Sequence, residues 1–288
     1  MSADPPAPQL DRRSRALLTF CAIAVAFAAI DTYVVVLALP EMMASVSISA
    51  QDLQRAAPII SGFLLGYVAI LPLIGRVADL RGPVPVLIAS LVTFAVGSLI
   101  TTVGYDLTSV VLGRFLQGLG GGGLVPATMA LVAALYPVER RGLPLGIVSA
   151  VQEVGSVLGP LFGALVLSVS SWRAIFAINA AVALVLVVVV RLLRRSEAGA
   201  PELAERTRAP GRPDLTGAAA VAVAVLCALL VIYPPDRLYL DLTYGALFTP
   251  LLADGRWLSP LGLTAIASLL VFAVRCVVAP RPLIDARA

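Results

Sequence analysis

The sequence predicts an all-α polytopic membrane protein, and three observations predict it. Of its 288 residues 59% are hydrophobic and only 13% charged, with a mean hydropathy of +0.96, far outside the range of soluble domains. Apolar runs of about 20 residues, the length that crosses a hydrocarbon core of roughly 30 Å, recur from end to end. All 21 basic residues are arginine, and they gather in alternate segments between the apolar runs, as positive-inside membrane proteins require and nucleic-acid binders do not.

Eight spans are expected, at about 16–38, 57–75, 84–104, 108–134, 143–168, 174–193, 215–233 and 258–279. The first follows Arg12, Arg13 and Arg15 and resembles a signal peptide in outline. It exceeds a typical h-region, contains Asp31 and is followed by more spans, so it is read as retained. Residues 16–193 hold six spans. The polar stretch 194–213 (RRSEAGAPELAERTRAPGRP) reads as a linker to two further spans within 214–279. Between those two, 234–257 mixes Tyr, Trp, Leu and alternating charge as an interfacial loop does, and a partner can dock there. Residues 1–15 and 280–288 form the terminal segments.

Orientation follows from the arginines. Arg55, Arg173, Arg237 and Arg256 lie in segments on one side, Arg114 lies within a span, and all the others fall on the opposite side. That side is therefore cytoplasmic, with both termini and the 194–213 linker, and the expected location is the plasma (inner) membrane.

The inventory removes most enzyme chemistry. With no histidine and no lysine there is no Ser/His/Asp triad, HExxH zinc site, P-loop or Schiff base, and no enzyme is expected. Cys21, Cys227 and Cys276 each sit in or at the end of an apolar run without metal-ligand spacing, so they read as packing residues and no metal is expected.

Spans 1, 4 and 5 carry Asp31, Arg114 and Glu153, whereas spans 3 and 6 carry no ionisable residue in their apolar cores. A charge facing lipid costs about 2.5–3.5 kcal/mol or more, so these three groups should face a polar cavity or one another while spans 3 and 6 can face lipid. At 1.5 Å rise per residue Asp31 and Arg114 lie at similar depth, about 10 and 9 Å from the outer ends of their spans, and can meet. Such a pair either staples two helices or takes part in proton coupling or gating. Glu153 falls roughly 15 Å into span 5, near the midplane and without an obvious partner. It is either a proton carrier or a neutral group bonded to Gln152 or a neighbouring helix.

Gly118, Gly120 and Gly123 spell GxGxxG, but midway along an apolar span close helix packing explains them better than dinucleotide binding. Gly155, Gly159, Pro160 and Gly163 form GxxxGPxxG in span 5, where small residues let backbones approach and proline loosens the helix. Tyr33, Phe63, Tyr67 and abundant Val, Leu and Ala favour a lipophilic ligand over a sugar or anion.

Five signatures in order resemble the major facilitator superfamily, in its fourteen-span drug:proton antiporter branch. They are Asp31 with Ala38-Leu39-Pro40; Gly75 to Leu87 (GRVADLRGPVPVL); Arg114 to Gly118 (RFLQG); Gly155 to Gly163 (GSVLGPLFG); and Ser171-Trp172-Arg173 with Phe176 and Asn179. The wording IDTYVVV, LLGYVAILPLIGRVAD, QEVGSVLGPLFG and RPLID is similar to the actinobacterial exporters of triacylglycerides and drugs, which work with a periplasmic lipoprotein.

The resemblance implies a six-helix N-terminal half followed by two linker helices, exporting lipids or lipophilic drugs with the proton gradient and no other cofactor. It implies proton coupling at Asp31, a structural or coupling role for Arg114, a midplane titratable or ion-lock role for Glu153, and a cytoplasmic gate at Gly75, Asp79, Arg81 and Gly82. In the family a basic residue and Gly-Arg-Lys follow Asp79; here Leu80, Arg81, Gly82, Pro83 and Val84 stand there, which weakens the lock. The sequence reaches Ala288 before a second six-span half. The expectation is a fragment, a half that assembles with another half, or a remnant; the competing reading is a docking module for an envelope lipoprotein.

Overall fold

A computed structural model describes residues 12–195, 215–234, 245–251 and 256–278, apart from the side chains of Arg76, Asp79, Arg195, Leu215, Arg256 and Val278. Among these residues the regular structure is helical: α1 Arg12–Ser45, α2 Leu53–Arg81, α3 Pro83–Val103, α4 Leu107–Leu135, α5 Gly142–Val169, α6 Trp172–Arg195, α7 Leu215–Ile232 and α8 Pro260–Val278. Each contains its expected apolar run or falls within two residues of it at either end, and hydrogen bonding within the helix is how a backbone survives in hydrocarbon.

Local chemistry sets the boundaries. Gly82 stands between α2 and α3 at φ 85°, a conformation that favours glycine; its N–H closes α2 on the Ala78 carbonyl at 2.8 Å, and Pro83 opens α3. Asp106 starts α4 with a capping box: its Oδ1 accepts from the Ser109 N–H at 2.7 Å, and Ser109 Oγ takes the Asp106 N–H at 3.4 Å.

Among the described residues seven helices are long and apolar enough to cross a membrane. The remaining expected span corresponds to α7, whose described apolar stretch, Thr216–Ile232, is one residue shorter than the shortest of the seven, Pro260–Val277.

α4 lies between α2 and α3, α1 lies along α5, α3 along α6, and α7 packs on α8 and reaches α2. Glycine makes these approaches possible. A Cβ on Gly118 would strike the Phe63 carbonyl and one on Gly122 the Tyr67 carbonyl, both on α2, while on Gly120 and Gly123 it would strike Phe94 and Ser90 of α3. Gly155, Gly159 and Gly163 likewise face α1 at Ala26, Ile30 and Val34. Pro160 is on the exposed side of α5.

Two apolar clusters fill the bundle. One, with Leu17, Cys21, Leu87, Leu131 and Val190, lies toward the arginine-rich ends of the helices; the other, with Met42, Ile59, Val110, Trp172 and Phe176, lies toward the opposite ends. Asp31, Ser98, Thr101, Arg114, Gln117 and Asn179 are buried between them. α3 departs from the lipid-facing expectation: Val96, Leu99 and Val103 are exposed, but more than half of its span is buried against α4 and α6. α6 exposes Leu184, Val185, Val188 and Leu192. Cys21, Cys227 and Cys276 are free and buried.

Candidate functional site

The site begins with a carboxylate on α1. Asp31 is fully buried, and Arg114 Nη1, from α4, donates to its Oδ2 at 2.7 Å. The other carboxylate oxygen, Oδ1, accepts from Asn179 Nδ2 of α6 at 2.6 Å and from Gln117 Nε2 at 3.3 Å. Gln117 also donates to Ser98 Oγ of α3 at 2.8 Å, and its Oε1 accepts from Arg114 Nη1 at 3.0 Å and from Thr101 Oγ1 at 3.3 Å. Side chains from four helices therefore end in one polar knot.

Removing two charges from water is costly, and the attraction between them offsets this only when the remaining donors and acceptors are occupied. Here the guanidinium also gains aromatic faces. Arg114 Cζ lies 4.3 Å from the centroid of Phe63 on α2 and 5.5 Å from that of Phe176 on α6, distances at which the ring quadrupole attracts a cation. Two buried atoms, Arg114 Nε and Asn179 Oδ1, have no hydrogen-bond partner among the described residues.

Beside the knot lies a cavity of about 190 Å³ between α1, α2, α4 and α5. Thr32, Tyr33, Tyr67, Gln152, Glu153 and Ser156 give it polar groups, and Val25, Ala28, Ala29, Leu64 and Val125 give it apolar ones. Phe63 and Gly121 complete the lining. The structure thus joins Tyr33, Phe63 and Tyr67 with Glu153 in one recess. Glu153 is exposed, and no hydrogen bond or ion pair to its carboxylate is found among the described residues; only its backbone carbonyl accepts, from Ser156 Oγ at 2.7 Å.

The residues of the α2–α3 corner are not part of this assembly. Gly75 and Arg81 are exposed, Gly82 is buried at the turn, and the Asp79 side chain lies outside the described residues. Most of the segment 234–257 lies outside them too. At its start Tyr233 OH meets Thr108 Oγ1 at 2.9 Å, fixing the end of α7 to the start of α4. No cluster of potential metal ligands exists among the described residues.

Sequence reasoning passed over Ser98, Gln117 and Asn179 as site residues because they carry no charge. Their spacing held the signal: Gln117 follows Arg114 by three residues, and Trp172, Phe176 and Asn179 fall at i, i+4 and i+7, one face of a helix.

Residues 21–281 match the family model described as Major Facilitator Superfamily. The chain is 39% identical over 239 residues to a protein named triacylglyceride transporter from Mycobacteroides abscessus, covering 82% of this chain and 45% of that one. A triacylglyceride transporter from Mycolicibacterium smegmatis is 39% identical over 217 residues, 74% of this chain and 37% of its own. One from Mycobacterium tuberculosis is 36% identical over 226 residues, 77% and 42% respectively. The chain spans less than half the length of each of these relatives.

Proposed function

This chain belongs to the major facilitator superfamily, and on that premise we propose that it forms one half of a proton-coupled antiporter that exports lipophilic compounds. The relatives' names favour lipids such as triacylglycerides as cargo, and the apolar share of the cavity lining suits lipids and lipophilic drugs alike. In this reading the protein sits in the inner membrane with both termini cytoplasmic. The energy source is the proton gradient, with no bound cofactor, and transport is its role in place of catalysis.

The observation that carries the reading is the buried Asp31 and Arg114 pair. An acid at membrane depth is retained at a cost, and proton routes are its common use. Protonating Asp31 removes the anion that holds Arg114, so the contacts joining α1, α4 and α6 change with one proton. Alternating access rocks two bundles about a midplane site, and α1 to α6 supply one bundle. The partners this reading calls for are a second six-helix half and a periplasmic lipoprotein. Glu153 is a second titratable group on the substrate side. Gly75, Asp79, Arg81 and Gly82 form the cytoplasmic gate, and Gly155, Gly159, Pro160 and Gly163 let α5 shift along α1.

The test uses the exporter assembled with its second half. Asp31→Asn, reconstituted at the same amount of folded protein as wild type, is expected to abolish gradient-driven efflux of a lipophilic dye or lipid from vesicles. Efflux that survives the substitution overturns the coupling and favours a docking role for the chain.

A further inference from the structure

Phe63 belongs to two environments at once. Its ring lies 4.3 Å from the Arg114 guanidinium, and the same side chain lines the cavity that contains Glu153. It is 1% exposed, like the cluster behind it. Ala28 and Thr32, which bracket Asp31 along α1, line the same cavity, as does Gly121, one turn beyond Gln117 on α4. The recess therefore comes within one side chain of the polar knot.

Gly121 is the exception in its glycine run. Added Cβ atoms on Gly118, Gly120 and Gly122 would run into neighbouring backbone, and on Gly123 into the Ser90 side chain. On Gly121 the nearest atoms would be side-chain carbons at ordinary contact distance: Phe63 Cζ at 3.7 Å, Ala28 Cβ at 3.8 Å and Phe94 Cδ2 at 3.8 Å. Helix packing does not demand glycine at this position. What glycine leaves there is room for about one methyl group at the tip of the Phe63 ring, on the wall of the cavity.

We propose that Phe63 and Gly121 form an aromatic gate between the Asp31 and Arg114 cluster and the Glu153 cavity. With the ring on the guanidinium the cluster is dry. When the ring swings over Gly121 it leaves the guanidinium face, and water from the cavity reaches the Asp31 carboxylate. A proton then passes from a hydronium ion to an Asp31 oxygen, leaving a water molecule, and the bond from Arg114 Nη1 loses its anion. This use of the gate rests on the coupling reading above. The barrier itself does not.

Accessibility tests the barrier without transport. In the intact chain in membrane vesicles, with Cys21, Cys227 and Cys276 changed to alanine, Ser98→Cys places a thiol in the cluster and Ser156→Cys places one in the cavity. Each is reacted with methyl methanethiosulfonate at one fixed pH and counted by mass spectrometry. Ser98→Cys should react slowly and become about tenfold faster with Phe63→Ala, because a standing opening replaces a minor open state. With Gly121→Ala, which fills the swing space, it should react more slowly than with glycine. Ser156→Cys should keep one rate throughout and so reports that each variant is folded. If Phe63→Ala alters that control, Phe63→Leu and Gly121→Ala decide in its place. A Ser98→Cys rate unchanged by the Phe63 substitution, or not lowered by Gly121→Ala, overturns the gate. Efflux that survives Asp31→Asn removes the coupling reading and leaves the gate as measured here.

Discussion

Asn179 holds, from α6, the carboxylate oxygen of Asp31 that Arg114 does not take: its Nδ2 lies 2.6 Å from Oδ1, while the guanidinium bonds Oδ2. Hydrogen bonds to buried charged groups contribute about 1.5–3 kcal/mol. Asn179→Ala should lower stability by about that amount, seen as a lower unfolding temperature in detergent. Asn179→Asp should cost more, because it sets a second acid against the first. An unchanged unfolding temperature in both variants would show that α6 does not support the carboxylate.

Arg114 and Asp31 should be non-additive. Removing one partner of a buried pair leaves an uncompensated charge at a cost of about 3–5 kcal/mol, so Arg114→Gln alone should be severely destabilised. Adding Asp31→Asn should restore more than half of the loss, since no net charge then remains in the core. A thermal-unfolding double-mutant cycle measures this directly. A double variant as unstable as the sum of the singles would mean that the two side chains act separately.

The glycines of α4 should separate into two classes. Gly120→Ala drives a Cβ into the backbone of Phe94 and Ser90, whereas Gly121→Ala meets only side-chain carbons at 3.7–3.8 Å. Overpacking costs about 1–3 kcal/mol where neighbours cannot yield. The first substitution should lower yield and unfolding temperature; the second should leave both near wild type.

At the end of the bundle away from the arginine-rich segments, α6 is tied to two neighbours. Glu41 Oε2 accepts from the Trp172 N–H at 3.1 Å, and Arg173 Nη2 donates to the Gly104 carbonyl at 2.9 Å with its Cζ 4.4 Å from the Trp172 ring. Arg173→Ala should cost about 1 kcal/mol of stability. Arg173→Lys should recover only part of that, because an ammonium lacks the planar face that lies on the ring.

Much of this was legible in residues alone. Hydrocarbon thickness and hydropathy fix the spans, and depth along α1 and α4 brings Asp31 to Arg114, because a membrane gives every helix a shared ruler. Glu153 was placed near the midplane, and the cavity it faces is assembled by packing of α1, α2, α4 and α5, which no single helix encodes. As partners of Asp31, Asn179, Gln117 and Ser98 are hidden by their neutrality, although the first two stand in the family signatures. They are ordinary polar residues until a buried charge appears beside them, and that depends on which helix faces flank Asp31. The double membership of Phe63 is of the same kind, since an apolar residue in an apolar span carries no mark of a charge against its ring.

The separation of 83 positions from Asp31 to Arg114 also sets a clock for synthesis. α1 leaves the ribosome with its acid, and the cation that neutralises it arrives only with the fourth helix. A lone carboxylate in a span raises the cost of insertion by about 2.5–3.5 kcal/mol, so α1 is held less firmly in the bilayer before α4 enters between α2 and α3 than after it. Nascent chains arrested before Arg114 should be retained less well and degraded faster than those arrested after Leu135. In this protein the cation and the amide that hold the acid of the first helix arrive only with α4, and the asparagine only with α6.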